Sequence, residues 1–343
     1  MQFAFLNSNK YAATNALKAS IAAGTAYLVG LCLGKVLGID QMYLWMVITV
    51  LVVMSTQPNL GGVIDKALMR FLGTIIGALV AISLTFILPK EFLVLGMLPF
   101  IVICVYVAGA SSRYSYAGTL SGITLIIILL NKNPSLQVAI LRASEISLGI
   151  AIALVVNRFV YPIRAETRLK ESYAKAVLQV RDFFDILFIE RNDNHRKLRE
   201  SLFHEFAKHL NLIKELNYEK SAKSVREFEK MSLYIRRLYR YMIVMYEFIE
   251  SQSQDDTFSQ LKNDKVFVEF NNHIISSLTN VAEDISKRQR ISYKQIISFE
   301  RHIHPLLKDK YDNEVFLFSI KMFLQALERL AIEYNYILQI SKH

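Results

Sequence analysis

Two pairs of charged residues stand out inside or at the mouth of apolar runs in the first half of this 343-residue chain. Lys66 and Arg70 open the stretch QPNLGGVIDKALMRFLGTIIGALVAISLTFIL, residues 57–88. Arg142 and Glu145 lie in a second apolar run, residues 137–161. A charge within a span is expensive, usually faces the interior of a helix bundle, and is a functional-site hypothesis by default. The chemistry open to these groups is attraction of an anion by Lys66, Arg70 and Arg142, and uptake of a proton by Glu145. Arg113, between two further apolar runs, belongs to the same basic set.

Helical spacing sets their direction. At about 100° per residue, Arg70, Gly73, Gly77 and Ala81 all fall within roughly 60° of Lys66. The basic pair therefore shares a face with a row of small residues, where another helix or a cavity approaches, and points inward. Asp65 falls well off that face and suits a cap or an interface. The competing reading makes Lys66 and Arg70 ordinary anchors at the cytoplasmic edge of a span. Arg142 and Glu145 share a face with Gly149, and Glu145 lies roughly 12 Å into its run, near a bilayer midplane. They read either as a self-neutralising structural pair or as a site where Arg142 meets an anion and Glu145 takes a proton.

The elements that must carry these residues are helices. The chain is 53% hydrophobic, with a mean hydropathy of +0.28, and the excess is confined to one half. All 13 glycines lie between Gly24 and Gly149, and five of the six prolines lie at or before Pro162. Beyond it come 181 residues with no glycine and only Pro305. The shift marks a boundary, giving a membrane domain over 1–163 and an all-α domain over 164–343. Six runs approach the roughly 20 residues a helix needs to cross a bilayer: 14–37, 43–56, 67–88, 92–110, 114–131 and 137–161. Tyr43 and Trp45 suit an interface at the start of the shorter second run, and Pro99 should kink the fourth. Six spans put both termini on one side, with Lys10, Lys18, Lys66, Arg70, Arg113, Arg158 and Arg164. Lys35, Lys90 and Lys132 fall opposite, and the excess places both termini in the cytoplasm.

Residues 1–165 hold 11 Lys/Arg against 4 Asp/Glu, and residues 166–343 hold 29 against 26. The basic balance thus belongs to the apolar half, and the nearly neutral polar half carries no nucleic-acid footprint. Small residues four apart let helices approach closely in lipid. Gly30, Gly34 and Gly38 form one such row, Gly73 and Gly77 a second, Gly118 and Gly122 a third. The polar half carries heptad-like faces. Leu317, Ile320, Leu324, Leu327, Ala331, Tyr334 and Leu338 make one; Leu202, Phe206, Leu210 and Ile213 another; Ile235, Leu238, Met242, Met245 and Phe248 a third. Asp255, Asp256 and Thr257 offer a helix start. These faces predict a bundle of four or five helices.

No cofactor or metal is implied. His302 and His304 are two apart and point to different helix faces, Cys32 and Cys104 form no framework, and no P-loop, dinucleotide fingerprint or nucleophile pattern appears. No cleavable signal peptide is evident. An enzyme is the least supported class.

Two segments carry a family resemblance. ALKASIAAGTAYLVG, followed by LWMVITVLVVMSTQPNLGGVIDKALMRFLGTIIGALVA, resembles the fusaric acid resistance / aromatic acid exporter family, as does RASEISLGIAIALVVNRFVYPIRA. The matching positions are Lys18, Trp45, Gln57-Pro58, Gly61, Lys66-Ala67, Arg70, Gly73-Thr74 and Gly77, then Arg142, Glu145, Gly149 and Pro162. The third-span pattern and overall plan are also similar to the plant aluminium-activated malate transporters. The resemblance covers residues 10–166, and the tail matches only in kind. Long exporters of this kind carry two such halves, so a single half implies a homodimer, and the 315–340 helix offers it a seam. The resemblance implies efflux of organic anions such as aromatic carboxylates across a bacterial inner membrane, with an accessory export protein as a further partner. Two rivals stand beside that expectation: a passive anion channel, and a non-transporting scaffold or regulator acting through its tail.

Overall fold

The structure, a computed structural model, describes residues 2–39, 41–55, 59–131, 133–190, 196–251, 264–292, 296 and 314–340. The Gln57-Pro58 turn, Lys132, the Asp255-Asp256-Thr257 start, and His302 and His304 lie outside the described residues. Every regular element among those described is helical. The chain divides into two compact units, Met1–Arg164 and Ala165–His343.

The first unit holds six helices: α1 (Gln2–Leu37), α2 (Met42–Met54), α3 (Leu60–Ile87), α4 (Leu93–Ala110), α5 (Ser115–Leu129) and α6 (Leu136–Phe159). Four stretches are long and apolar enough to cross a membrane: Tyr11–Leu37, Leu60–Ile87, Lys90–Ala110 and Leu136–Phe159. At 1.5 Å per residue, α2 and α5 rise only about 20 Å, short of a bilayer core of about 30 Å. Both are enclosed by longer neighbours, α2 by α1, α3 and α6, and α5 by α3, α4 and α6. One apolar cluster joins α1, α2 and α6 with Val63 and Ala67 of α3. A second joins the far half of α3 to α4, α5 and Ala139 of α6. α3 and α6 therefore run through the middle of the unit. The Leu60 amide donates to the Ile163 carbonyl at 3.1 Å, so the start of α3 is held beside the end of α6 and the two helices run antiparallel.

The small residues act where backbones meet. A Cβ on Gly73 would lie 2.5 Å from the Ala117 carbonyl oxygen of α5. On Gly77 it would meet the Ser121 carbonyl, and on Gly118 it would lie 2.8 Å from the Cys104 carbonyl of α4. A Cβ on Gly122 would lie at an ordinary 3.5 Å from the Cys104 Cβ. Gly30 and Gly34 press on the start of α2. Gly38 does not continue their row. It faces open space with φ +66° and turns the chain after α1, a left-handed conformation that glycine adopts without cost.

The second unit holds α7 (Ala165–Asp185), a π-helical turn (Ile186–Glu190), α8 (Arg196–Leu216), α9 (Ala222–Ser251), α10 (Lys265–Lys287) and α11 (Glu314–Ile340). α7 lies against α8, α9 and α10, and α11 packs on α9. Leu324 and Leu327, the expected dimer seam, are buried in this core against the rest of the bundle, so that face is used within one chain. The stripe on α8 also differs from the expected one. Leu210 is 50% exposed, and the buried positions are Leu202, Glu205, Phe206, His209, Leu212, Ile213 and Leu216. Seven residues return almost to the same helix face while eight overshoot it by about 80°, so position 209, not 210, follows 202 into the core.

Candidate functional site

α2, α3 and α6 pack together and carry Arg70, Arg142 and Glu145. α6 packs on both α2 and α3, and Gly149 permits the closest approach: a Cβ there would lie 2.8 Å from the Met46 carbonyl oxygen and from the Thr49 Cβ. That contact seats Thr49 deep in the unit. The Arg70 Nη2 donates to the Thr49 Oγ1 at 3.2 Å. Arg70 is only 4% exposed, and its Nε has no hydrogen-bond partner among the described residues. The described ion pairs include none to Arg70. A buried guanidinium whose direct contact is a neutral hydroxyl is far from satisfied, because it offers five donors and carries a full charge.

One to two turns away along α6 the arrangement is different. The Arg142 Nη1 donates to the Glu145 Oε2 at 2.7 Å, and Glu145 is 1% exposed. The guanidinium lies 5.1 Å from the ring centre of Trp45 on α2, within the range of a cation–π contact. Its Nε also has no partner among the described residues. Arg142 and Glu145 are thus a pair capped by an aromatic face, whereas no ion pair among the described residues reaches Arg70.

Lys66 and Arg113 fall elsewhere. Lys66 is half-buried, with its ammonium 5.3 Å from the ring centre of Tyr116 at the start of α5. It therefore lies on the α5 side of α3, with Gly73 and Gly77, while Arg70 reaches across to α2. Arg113 is exposed in the link between α4 and α5, its guanidinium over the adjacent Tyr114 ring, and is not brought to the other charges.

The site contains residues that the charge pattern alone does not single out. Thr49 and Trp45 look like ordinary members of an apolar helix. Lys18 counts as a flanking charge in the sequence, yet it is 0% exposed and its ammonium has no partner among the described residues. Asn157 is 0% exposed, and neither of its side-chain polar atoms has a partner among the described residues. A signal was present: Asn15, Lys18, Ala22 and Ala26 recur at three and four residues, the spacing of one helix face. With Lys18 and Arg70 inside the unit, the basic count that orients the termini loses both as flanking charges.

Four helices long and apolar enough to cross a bilayer, with two shorter apolar helices beside them, define a multi-pass helical membrane protein with Arg70 buried among its helices. The model of the fusaric acid resistance protein family matches residues 13–336. The chain belongs to that family. The match runs through the helical tail as well as the apolar half, further than the motifs at residues 10–166, and membership is consistent with transport or export. No curated protein matches the chain.

Proposed function

We propose that this protein moves organic anions, such as aromatic carboxylates, out across a bacterial inner membrane, and that Arg70 is the group each anion must meet. The buried Arg70, which enters no ion pair among the described residues, is the observation that supports this most. An uncompensated internal charge costs stability, and passage of an anion is a use that would retain it. In this reading all six apolar helices cross, the termini and the tail face the cytoplasm, and α2 and α5 line the route rather than meeting lipid at both ends. Rings beside the cations, Trp45 at Arg142 and Tyr116 at Lys66, support aromatic substrates by offering faces on which a planar acid can stack. Glu145, held by Arg142, is the proton-accepting candidate. A homodimer would have to form through a face other than Leu324 and Leu327.

The test is benzoate flux into proteoliposomes, per correctly inserted molecule, with and without a pH gradient. Wild-type flux that responds to the gradient, with Glu145→Gln losing that response, supports coupled export. Flux that follows the benzoate gradient alone selects a passive channel. No flux of any carboxylate under any gradient leaves the chain as a scaffold acting through its tail.

A further inference from the structure

Thr49 is held from two sides. Threonine is branched at Cβ and stiff about χ1. Its Cγ2 methyl faces α6, where a Cβ on Gly149 would lie 3.1 Å from it. Its hydroxyl faces α3, where Oγ1 accepts from the Arg70 Nη2 at 3.2 Å. Other hydroxyls of the first unit behave differently. Ser20, Thr25, Ser83, Thr119 and Ser147 each donate back to the carbonyl four residues earlier in their own helix, an ordinary bond for a hydroxyl inside a helix. Thr49 makes no such bond among the described residues, and its hydroxyl is turned instead to a cation on a neighbouring helix.

Two side chains in direct contact thus present donors together. A threonine hydroxyl carries one O–H. The Thr49 oxygen receives the Arg70 bond, and the Thr49 proton has no acceptor among the described residues. A guanidinium carries five N–H groups. Thr49 takes one of them, and the Arg70 Nε has no partner among the described residues. Thr49 is 0% and Arg70 4% exposed, and hydrogen bonds made away from water are electrostatically stronger. We infer that Thr49 and Arg70 together hold one carboxylate. The Thr49 O–H donates to one oxygen and the Arg70 N–H groups to the other, while the bond between the two residues fixes the direction of the guanidinium. A carboxylate has two oxygens for two neighbouring donors. Chloride has one centre and gains less from the second donor. Arg70 is then the charge that attracts an anion, and Thr49 the residue that selects a carboxylate. This rests on the anion-transport reading and adds to it a specificity residue.

Two measurements on the full-length protein test this: thermal unfolding in detergent and flux into proteoliposomes, each with sodium benzoate against sodium chloride at equal ionic strength. Wild type is expected to be stabilised by benzoate more than by chloride. Thr49→Val keeps the shape and removes the hydroxyl. It should abolish the extra benzoate shift and raise the KM for benzoate about tenfold, the scale of one hydrogen bond to an ion, with the maximal rate largely kept. Thr49→Ser, which restores the hydroxyl without the methyl, should recover both readouts, and Thr49→Ala should behave as Thr49→Val. Thr49→Val that melts lower yet keeps the benzoate shift and KM makes Thr49 structural and overturns the pair, as does unfolding of both Thr49→Val and Thr49→Ala. Benzoate flux in wild type that is unchanged in Thr49→Val overturns the pair and leaves transport standing. A Thr49-dependent benzoate shift in a protein that passes no anion leaves the pair standing and removes transport. Neither shift nor flux in wild type removes both.

Discussion

The two units treat buried charge in opposite ways. In the second unit Glu205 is buried on α8, and every partner it needs is present. The Ser172 hydroxyl donates to it at 2.6 Å, Lys175 of α7 pairs with it, and Lys208 lies 3.3 Å away. Burial alone would raise its carboxyl, but the hydrogen bonds from Lys175 and Ser172, with the charges of Lys208 and Lys175, hold it down at about 2. In the first unit Arg70 and Lys18 are as deeply buried, and among the described residues neither has such a set. A satisfied charge in a core is architecture, and it locks α7 to α8. An unsatisfied one is a standing cost to stability. Arg142 lies between these cases, paired with Glu145 yet with one nitrogen unpartnered.

The largest expected effect breaks the comparison at Arg70. Arg70→Ala should lower benzoate flux per inserted molecule by about tenfold or more, a loss above roughly 1.4 kcal/mol in the barrier. Arg70→Lys should keep part of it, and Arg70→Glu, which repels an anion, should be worst. Equal flux in all three would take Arg70 out of the route and leave Arg142 as the main candidate.

Acid titration sharpens the other side. His209 is fully buried, its Nδ1 within 3.3 Å of the Ser232 hydroxyl, and burial depresses its pKa to about 4 from 6.5. The unfolded chain therefore takes up a proton below pH 6.5 that the folded bundle refuses until about pH 4. Stability falls across that window, by up to about 3 kcal/mol. Glu205, held at about 2 against an unfolded value of about 4.3, removes a further increment as the pH drops from about 4.3 toward 2. Hydrogen exchange of the α8 amides in the full-length protein should show both limbs. His209→Gln should flatten the upper limb alone, and an unchanged upper limb would contradict the assignment.

Close packing gives a smaller effect. Gly77→Ala places a methyl group against the Ser121 carbonyl and 2.9 Å from the Thr124 Cβ, and overpacking of this kind costs about 1–3 kcal/mol. The melting temperature in detergent should drop, whereas Gly24→Ala, which meets nothing within 4 Å, should leave it unchanged. The smallest effect is expected at Arg113. It is exposed, so Arg113→Ala should leave flux per inserted molecule at the wild-type level, and a large loss would place the α4–α5 link on the route.

The sequence by itself determined the helical class and the apolar half, because a bilayer imposes a length and composition that any run of residues either meets or fails, while its motifs carried the resemblance to the family whose model matches residues 13–336. It also determined that Lys66 and Arg70 lie within one helix turn of each other on α3, since helical spacing is local. The tertiary structure decided what each charge meets. Lys66 goes to Tyr116 of α5 and Arg70 to Thr49 of α2, although a helical wheel places them on one face, because long side chains reach whichever neighbouring helix lies beside them. It decided that Lys18 is interior, since counting loop charges says nothing of which face of α1 packs. It placed His209 rather than Leu210 in the bundle core: hydrophobicity favoured the leucine, but the turn of the helix and the partners waiting on α7 and α9 fix which position faces inward.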